Sequence, residues 1–328
     1  MSEMSYAVQL SAAAEFIRTN DDFLVVSHIQ PDGDAAGSTF GVAWMLTALR
    51  KRFTLINEGR MPDKFLYMAG GLPIVNQEQD VLDRSFNRVI CVDCADYERF
   101  GRVHTCFSED VQLLNIDHHA TNDLYGHVNL VRSDAAATVE VLYDLAKELG
   151  LVFSDELNVC IYSGLLTDTG GFRYPNTSPK VLQIAADMLA RGVRGHELAE
   201  KLLETLTYPQ VSLLKSSLNT LSFSPDKRIA WLSISTHDMA ASNASSEDTD
   251  GLVNYARNVE GVEVGLLFKE KKPGVVKVSF RSGGRANVAE IAQRFGGGGH
   301  VLASGCTIEG TLAEAIEQVV KEVGLALS

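Results

Sequence analysis

No stretch of this chain approaches 18 consecutive apolar residues, so nothing in it reads as a membrane span. The first twenty residues lack a cationic start followed by an apolar core, and no signal peptide is expected there. Cysteine is sparse: five residues, an odd number at irregular spacing, do not make a disulfide framework. Positive charge is in deficit as well. Lys plus Arg is 29 against 42 for Asp plus Glu, a formal net charge of −13. Long duplex nucleic acid is held through clustered cations, so a protein that coats it is excluded. A small phosphate ester stays within reach if metal ions and one or two arginines supply the attraction locally. Internal repeats are absent, and the only low-complexity stretch is the glycine run 296–299. The expectation is a cytoplasmic protein without a membrane partner.

What is present is globular. Hydrophobic residues make up 45% and charged residues 22%, which excludes a largely disordered chain. At 328 residues the chain exceeds what one core usually holds, so two domains are expected. A helix fits 7–18, followed by a β-rich run at 23–27. Residues 40–49 are apolar nearly all round, as in a helix buried beside a sheet. Further strands are expected at 53–57, 88–92 and 112–116. Strands separated by helices imply an α/β fold with a doubly wound, mostly parallel and buried sheet. Helices then fit 134–149, 155–168, 178–191, 196–206 and 209–219. From about residue 221 short strands take over, at 221–223, 229–235, 262–269 and 275–281. Pro273-Gly274 marks the hairpin between the last two, and helices follow at 286–295 and 311–323. The chain thus divides into a first domain over 1–195, a helical linker over 196–220 and a smaller α+β domain over 221–328.

The informative polar residues sit where strands or helices end. His28, Asp32 and Asp34 follow the run 23–27 within His28-Ile29-Gln30-Pro31-Asp32-Gly33-Asp34. Asp93 ends 88–92, Asp117-His118-His119 follows 112–116, and Asp168 lies before Gly170-Gly171. Singly, these have ordinary readings: a Pro-Asp-Gly turn, a helix cap, a pair of surface histidines. Together they resist them, because carboxylates gathered at one sheet edge repel unless cations lie among them. A mixed Asp/His set suits Mn²⁺ better than an oxygen-only Ca²⁺ cage. Two ions about 3.5–4 Å apart, sharing a carboxylate and a water, account for a set this large. A competing zinc site from Cys91, Cys94, His104 and Cys106 is weaker. In a continuing strand Cys91 and Cys94 point to opposite faces, Cys91 sharing the face of Asp93.

These segments resemble the four motifs of DHH phosphoesterases. The tail, Arg281-Ser282 and then Gly296-Gly297-Gly298-Gly299-His300-x-x-Ala303-Ser304-Gly305, resembles a DHHA1 substrate-binding domain. The resemblance spans nearly the whole chain, and its motifs in this order are specific where the tripeptide Asp-His-His alone is not. It is nearest to the two-domain oligoribonucleases that are also pAp phosphatases. It implies one metal on His28, Asp32 and Asp93, and a second on Asp34, Asp93, His118 and Asp168, with Asp93 as the bridge and a catalytic residue. His119 would contact the phosphate or aid proton transfer, and Asp117 would orient His118. Arg281 and His300 would clamp a terminal phosphate across a cleft, with Ser282, Gly297, Gly298 and Gly299 on the substrate. The implied cofactor is two Mn²⁺, with Mg²⁺ or Co²⁺ as substitutes.

The chemistry of the residues agrees. Two divalent ions match the charge of four aspartates and lower the pKa of a shared water. Arginine suits a phosphate clamp because its planar fork donates two parallel hydrogen bonds. Glycines let a phosphate approach the backbone N–H groups, whereas a bare glycine run could also be a flexible linker. The expected partner is short single-stranded RNA or a small nucleotide, and a homodimer is compatible with the sequence. Alternatives on the same metal site are a pyrophosphatase or exopolyphosphatase and a linear-dinucleotide phosphodiesterase. A third alternative is a non-enzymatic nucleotide-binding module.

Overall fold

A computed structural model describes residues 5–327. The chain divides between Thr205 and Leu206 into two compact units. That division falls within the stretch 196–220 read as a helical linker.

The first unit runs α1 (Tyr6–Thr19), β1 (Phe23–Val26), α2 (Gly33–Ala48), β2 (Phe53–Asn57), β3 (Ile74–Asn76), β4 (Phe86–Val92), β5 (Phe107–Asp117), β6 (Val128–Val131), α3 (Thr138–Glu148), α4 (Asp155–Asp168), α5 (Pro179–Ala190) and α6 (Gly195–Ala199). Its six strands form one sheet in the order β3-β2-β1-β4-β5-β6, every pairing parallel. All four residues of β1 are buried, which is why that strand reads as a continuous apolar run. Its side chains still alternate. Phe23 and Val25 enter a core shared with α1 through α5, while Leu24 and Val26 face a second cluster closed by the helical turns of Tyr97–Cys106. Each fully buried side chain of this size contributes roughly 1.5–3 kcal/mol.

Two helix starts differ from expectation. α2 begins at Gly33, not residue 40, because Asp32 caps it, accepting from the N–H groups of Asp34 and Ala35. α3 begins at Thr138, not residue 134, where its first N–H groups meet Asp34. β3 and β6, of three and four residues, add to the strands expected from the sequence.

The second unit runs α7 (Tyr208–Leu218), β7 (Ser222–Phe223), β8 (Ile229–Ile234), α8 (Thr236–Ala241), α9 (Val253–Arg257), β9 (Val264–Lys272), β10 (Val275–Ser282), α10 (Val288–Arg294), β11 (Gly298–His300), β12 (Ala303–Glu309) and α11 (Leu312–Leu327). Its sheet has the order β11-β12-β10-β9-β8-β7, antiparallel except between β8 and β9. One face packs on α10 and α11 through Leu266, Phe268, Val278 and Phe280. The other packs on α7 and α9 through Leu213, Leu232, Val253 and Leu267. Among the described residues no helix is long and apolar enough to cross a membrane.

Candidate metal centre

The first sheet changes direction between β1 and β4: the chain builds outward through β2 and β3, then crosses back to β4. Parallel sheets of this kind take ligands beyond the strand carboxyl ends at such a reversal. His28 follows β1, Asp93 follows β4 and Asp117 ends β5. Asp32 and Asp34 open α2, and Asp168 closes α4 before Gly170 and Gly171, both with positive φ. Asp93 itself adopts φ 59°, in the left-handed region that aspartate tolerates better than most residues. Its N–H still reaches the Ile116 carbonyl at 3.0 Å, so the chain leaves the sheet with that bond kept.

The structure brings His28, Asp32 and Asp93 together as one potential metal-holding group, and Asp34, His118 and Asp168 as another. His28 Nε2 lies 3.9 Å from Asp32 Oδ1 and 3.5 Å from Asp93 Oδ2. His118 Nε2 lies 3.9 Å from Asp34 Oδ2, 3.5 Å from Asp168 Oδ2 and 3.7 Å from Asp93 Oδ1. The two oxygens of Asp93 therefore face the two groups. Asp93 also forms a third grouping with His118 and His119.

Hydrogen bonds fix the imidazoles. A carbonyl oxygen only accepts, so His28 Nδ1–H donates to Ile29 at 2.9 Å and His118 Nδ1–H to Ala135 at 3.3 Å. Both rings then present an unprotonated Nε2 to the carboxylates when neutral, the form a metal requires. Asp117, expected to orient His118, instead holds His119, its Oδ1 2.8 Å from Nδ1, while Asn122 Nδ2 donates to its other oxygen at 2.6 Å.

The electrostatics are those of crowded carboxylates. Burial, then the charges of Asp93 and Asp32, push the Asp34 carboxyl well above its ordinary range, against two backbone N–H donors. Burial and its three acidic neighbours do the same to Asp168. Burial would also raise Asp93, but the three histidines hold it well below the carboxylate range. For His28, burial works against protonation, yet Asp93 and Asp32 overcome it and push the pKa up to about 9. His119 is raised by Asp117 and Asp93 against the effect of burial. Carboxylates crowded in this way become favourable neighbours only with cations among them, and the donor set fits divalent ions.

Sequence reasoning missed several supports. Thr138 Oγ1 donates to Asp93 Oδ1 at 2.9 Å, and the Thr138 and Val139 N–H groups donate to Asp34 at 2.6 and 3.1 Å. The amino end of α3 thus faces a carboxylate, the sign that could have revealed it. Arg99 bears on His119 electrostatically, from a stretch of short helical turns that gives no sequence signal. The expected face separation of Cys91 and Cys94 is corrected. Both enter one apolar cluster with Cys106, because the strand stops at Val92 and alternation ends with it. Cys91 is likewise on the face opposite Ile90 and Val92. No metal-ready group among the described residues contains a cysteine.

Of the expected substrate residues, His119 lies in the first unit beside Asp117 and Asp93, and the others lie in the second. Arg281 and Ser282 end β10; Ser282 N–H donates to Leu302 at 2.9 Å and its Oγ accepts from Gly284 at 3.0 Å. The glycine run is neither loop nor linker at its end, since Gly298, Gly299 and His300 form edge strand β11. Register pairs Arg281 with Ala303 and Ala303 with His300, so Arg281 and His300 stand at one level two strands apart, roughly 10 Å. Gly297 packs where a Cβ would sit 2.2 Å from the Gly305 carbonyl, so no larger residue fits.

Acidic and imidazole groups converging at the reversal of a parallel sheet define a metal-dependent phosphoesterase. Residues 22–165 match the DHH family, N-terminal domain, and residues 232–328 the DHHA1 domain. The bifunctional oligoribonuclease and PAP phosphatase NrnA of Thermus thermophilus is 33% identical over 98% of this chain and 95% of its own length. The protein of the same name from Bacillus subtilis is 29% identical over 90% of this chain and 92% of its own. An exopolyphosphatase-related protein from Bacteroides fragilis shares the fold with a TM-score of 0.88 at 24% identity, covering 100% of this chain and 97% of that one. The chain belongs to the DHH family of phosphoesterases, with a DHHA1 domain following the DHH domain.

Proposed function

We propose that the chain is a Mn²⁺-dependent phosphoesterase that hydrolyses short oligoribonucleotides to mononucleotides and pAp to AMP. The observation that carries this reading is the meeting of two Asp/His groups at the opposed oxygens of Asp93. The names of the relatives support the substrate class. His28, Asp32 and Asp93 would hold one ion, and Asp34, Asp93, His118 and Asp168 the other. When bound, such a pair supplies an activated water and neutralises charge developing on phosphorus during in-line displacement.

The chain's own residues do the rest. Asp93 keeps the two groups in register, with Thr138 fixing one of its oxygens. Asp117 holds His119 by Nδ1, and Nε2 would serve a phosphate oxygen or the leaving oxygen, which takes a proton as the P–O bond breaks. Arg281 and His300, with Ser282, Gly297, Gly298 and Gly299, would engage a terminal phosphate of the same substrate. The test is incubation of the purified chain with RNA of two to five nucleotides, and with pAp, under Mn²⁺ and under EDTA. Mononucleotides and AMP should form only with the metal; unchanged substrates in the metal-replete sample would end the proposal.

A further inference from the structure

The loop between β6 and α3, residues 132–137, serves one of the two metal-ready groups. Its Ala135 carbonyl accepts from His118 Nδ1 at 3.3 Å. Asn176 Nδ2 donates to the Ala136 carbonyl at 3.3 Å and to the Asp168 carbonyl at 3.1 Å, which ties the loop to the end of α4. Where the loop passes into α3, the N–H groups of Thr138 and Val139 donate to Asp34. Thr138 Oγ1 donates to Asp93 Oδ1, the oxygen that faces His118. The other group is fixed differently: His28 by the Ile29 carbonyl, and Asp32 by the first N–H groups of α2. The loop itself hangs on a buried ion pair. Glu140 is 2% exposed and is held on both oxygens, Oε2 accepting from the Ala136 N–H at 2.8 Å and Oε1 from the Arg132 guanidinium. Arg132 also donates to Asp144 at 2.8 Å, and its backbone N–H donates to the Asp117 carbonyl at 3.1 Å. Lys180 and the Tyr6 hydroxyl meet the same Asp144 oxygen, at 2.6 and 3.0 Å.

A carboxylate buried to this degree is costly unless both of its oxygens are partnered. Glu140 finds one partner at the start of the loop and one near its end, so both are drawn onto the first turn of α3. We infer that Arg132 and Glu140 are positioning residues for metal: by pinning the loop at both ends they hold Asp34, His118 and Asp168 at ligand spacing and leave the side of His28 and Asp32 to its own supports. The inference rests on the phosphoesterase reading in taking the two groups for two ion sites. Residue type matters at both positions. The planar fork of Arg132 meets Glu140 and Asp144 with separate nitrogens, where a lysine offers one point charge. A glutamine at 140 would turn one acceptor into a donor, set against either the guanidinium or the Ala136 N–H.

The full chain is titrated with Mn²⁺ by calorimetry, and the wild type should take up two ions. Glu140→Gln and Arg132→Met should each weaken the uptake of one ion about tenfold and leave the other unchanged. In the metal-free protein, amide exchange at Thr138 and Val139 should quicken about tenfold in both variants, as their bonds to Asp34 loosen. Leu55→Ala controls for a general loss of stability, since Leu55 is buried on β2, four strands from β6. It should melt lower yet keep both ions and the slow exchange. Uptake of both ions unchanged in the two variants, both ions weakened equally, or the same selective loss in Leu55→Ala overturns the inference. A wild type that takes up a single ion ends the two-ion reading instead. Exchange at Thr138 and Val139 then still decides the role of the pair, and an unchanged rate in both variants would overturn it.

Discussion

At the residue scale the candidate metal centre holds two of its carboxyl groups, Asp34 and Asp168, in unfavourable ionisation. Asp34 and Asp168 have raised pKa values, so in the metal-free protein their ionisation works against folding, and stability falls as pH rises above the usual carboxylate range. Asp168→Asn removes one of these charges without changing shape. It should raise the melting temperature of the EDTA-treated protein by about 2–4 °C, the effect of about 1 kcal/mol in a domain of this size. The same change should abolish the stabilisation that Mn²⁺ gives. A variant that melts lower without metal would contradict the crowding. His28, Asp32, Asp34, Asp93, His118 and Asp168 were legible as a group because their types are costly to gather. Thr138 and Arg99 were not, since a hydroxyl beside alanines and an arginine in irregular turns are commonplace in sequence.

At the element scale the centre depends on how closely α2 and α4 pack. A Cβ on Gly37 would lie 2.8 Å from the Cys160 carbonyl, and one on Gly164 would lie 2.8 Å from Asp34 Oδ1. The carbonyl belongs to helix backbone and cannot swing aside. Gly37→Ala should therefore cost about 1–3 kcal/mol by overpacking and should lower activity by displacing α2, which carries Asp34. Denaturant unfolding with parallel assays checks both; unaltered stability would mean the helices can separate freely. The helices and central strands were readable from periodicity and apolar runs. The early start of α2 and the late start of α3 were less so, because capping by Asp32 and Asp34 acts across a turn and, for α3, across 104 residues.

At the scale of the whole molecule each unit has two cores of its own, one on each side of its sheet. Metal binding in the first unit should leave the second unit's unfolding untouched. Calorimetry with Mn²⁺ at a hundredfold excess over Kd should move one transition upward by about 5–10 °C, from about 2.7 kcal/mol of linkage. Movement of the other transition alone would place the metal in the wrong unit. Binding at pH 7.5 should also release protons, because His28, with a pKa pushed up to about 9, must lose one to become a ligand. Weakly buffered titration reads that release directly, and its absence would remove His28 from the ligand set.

The sequence by itself determined the α/β class, the two-part organisation and the identity of the six candidate ligands, because hydrophobic periodicity and residue chemistry are local properties. Only the tertiary structure decided that Asp93 turns an oxygen to each group, that Asp117 serves His119, and that Thr138 reaches Asp93. These are matters of distance between residues far apart in the chain, and strand register and the left-handed turn at Asp93 set them. No local pattern encodes either one.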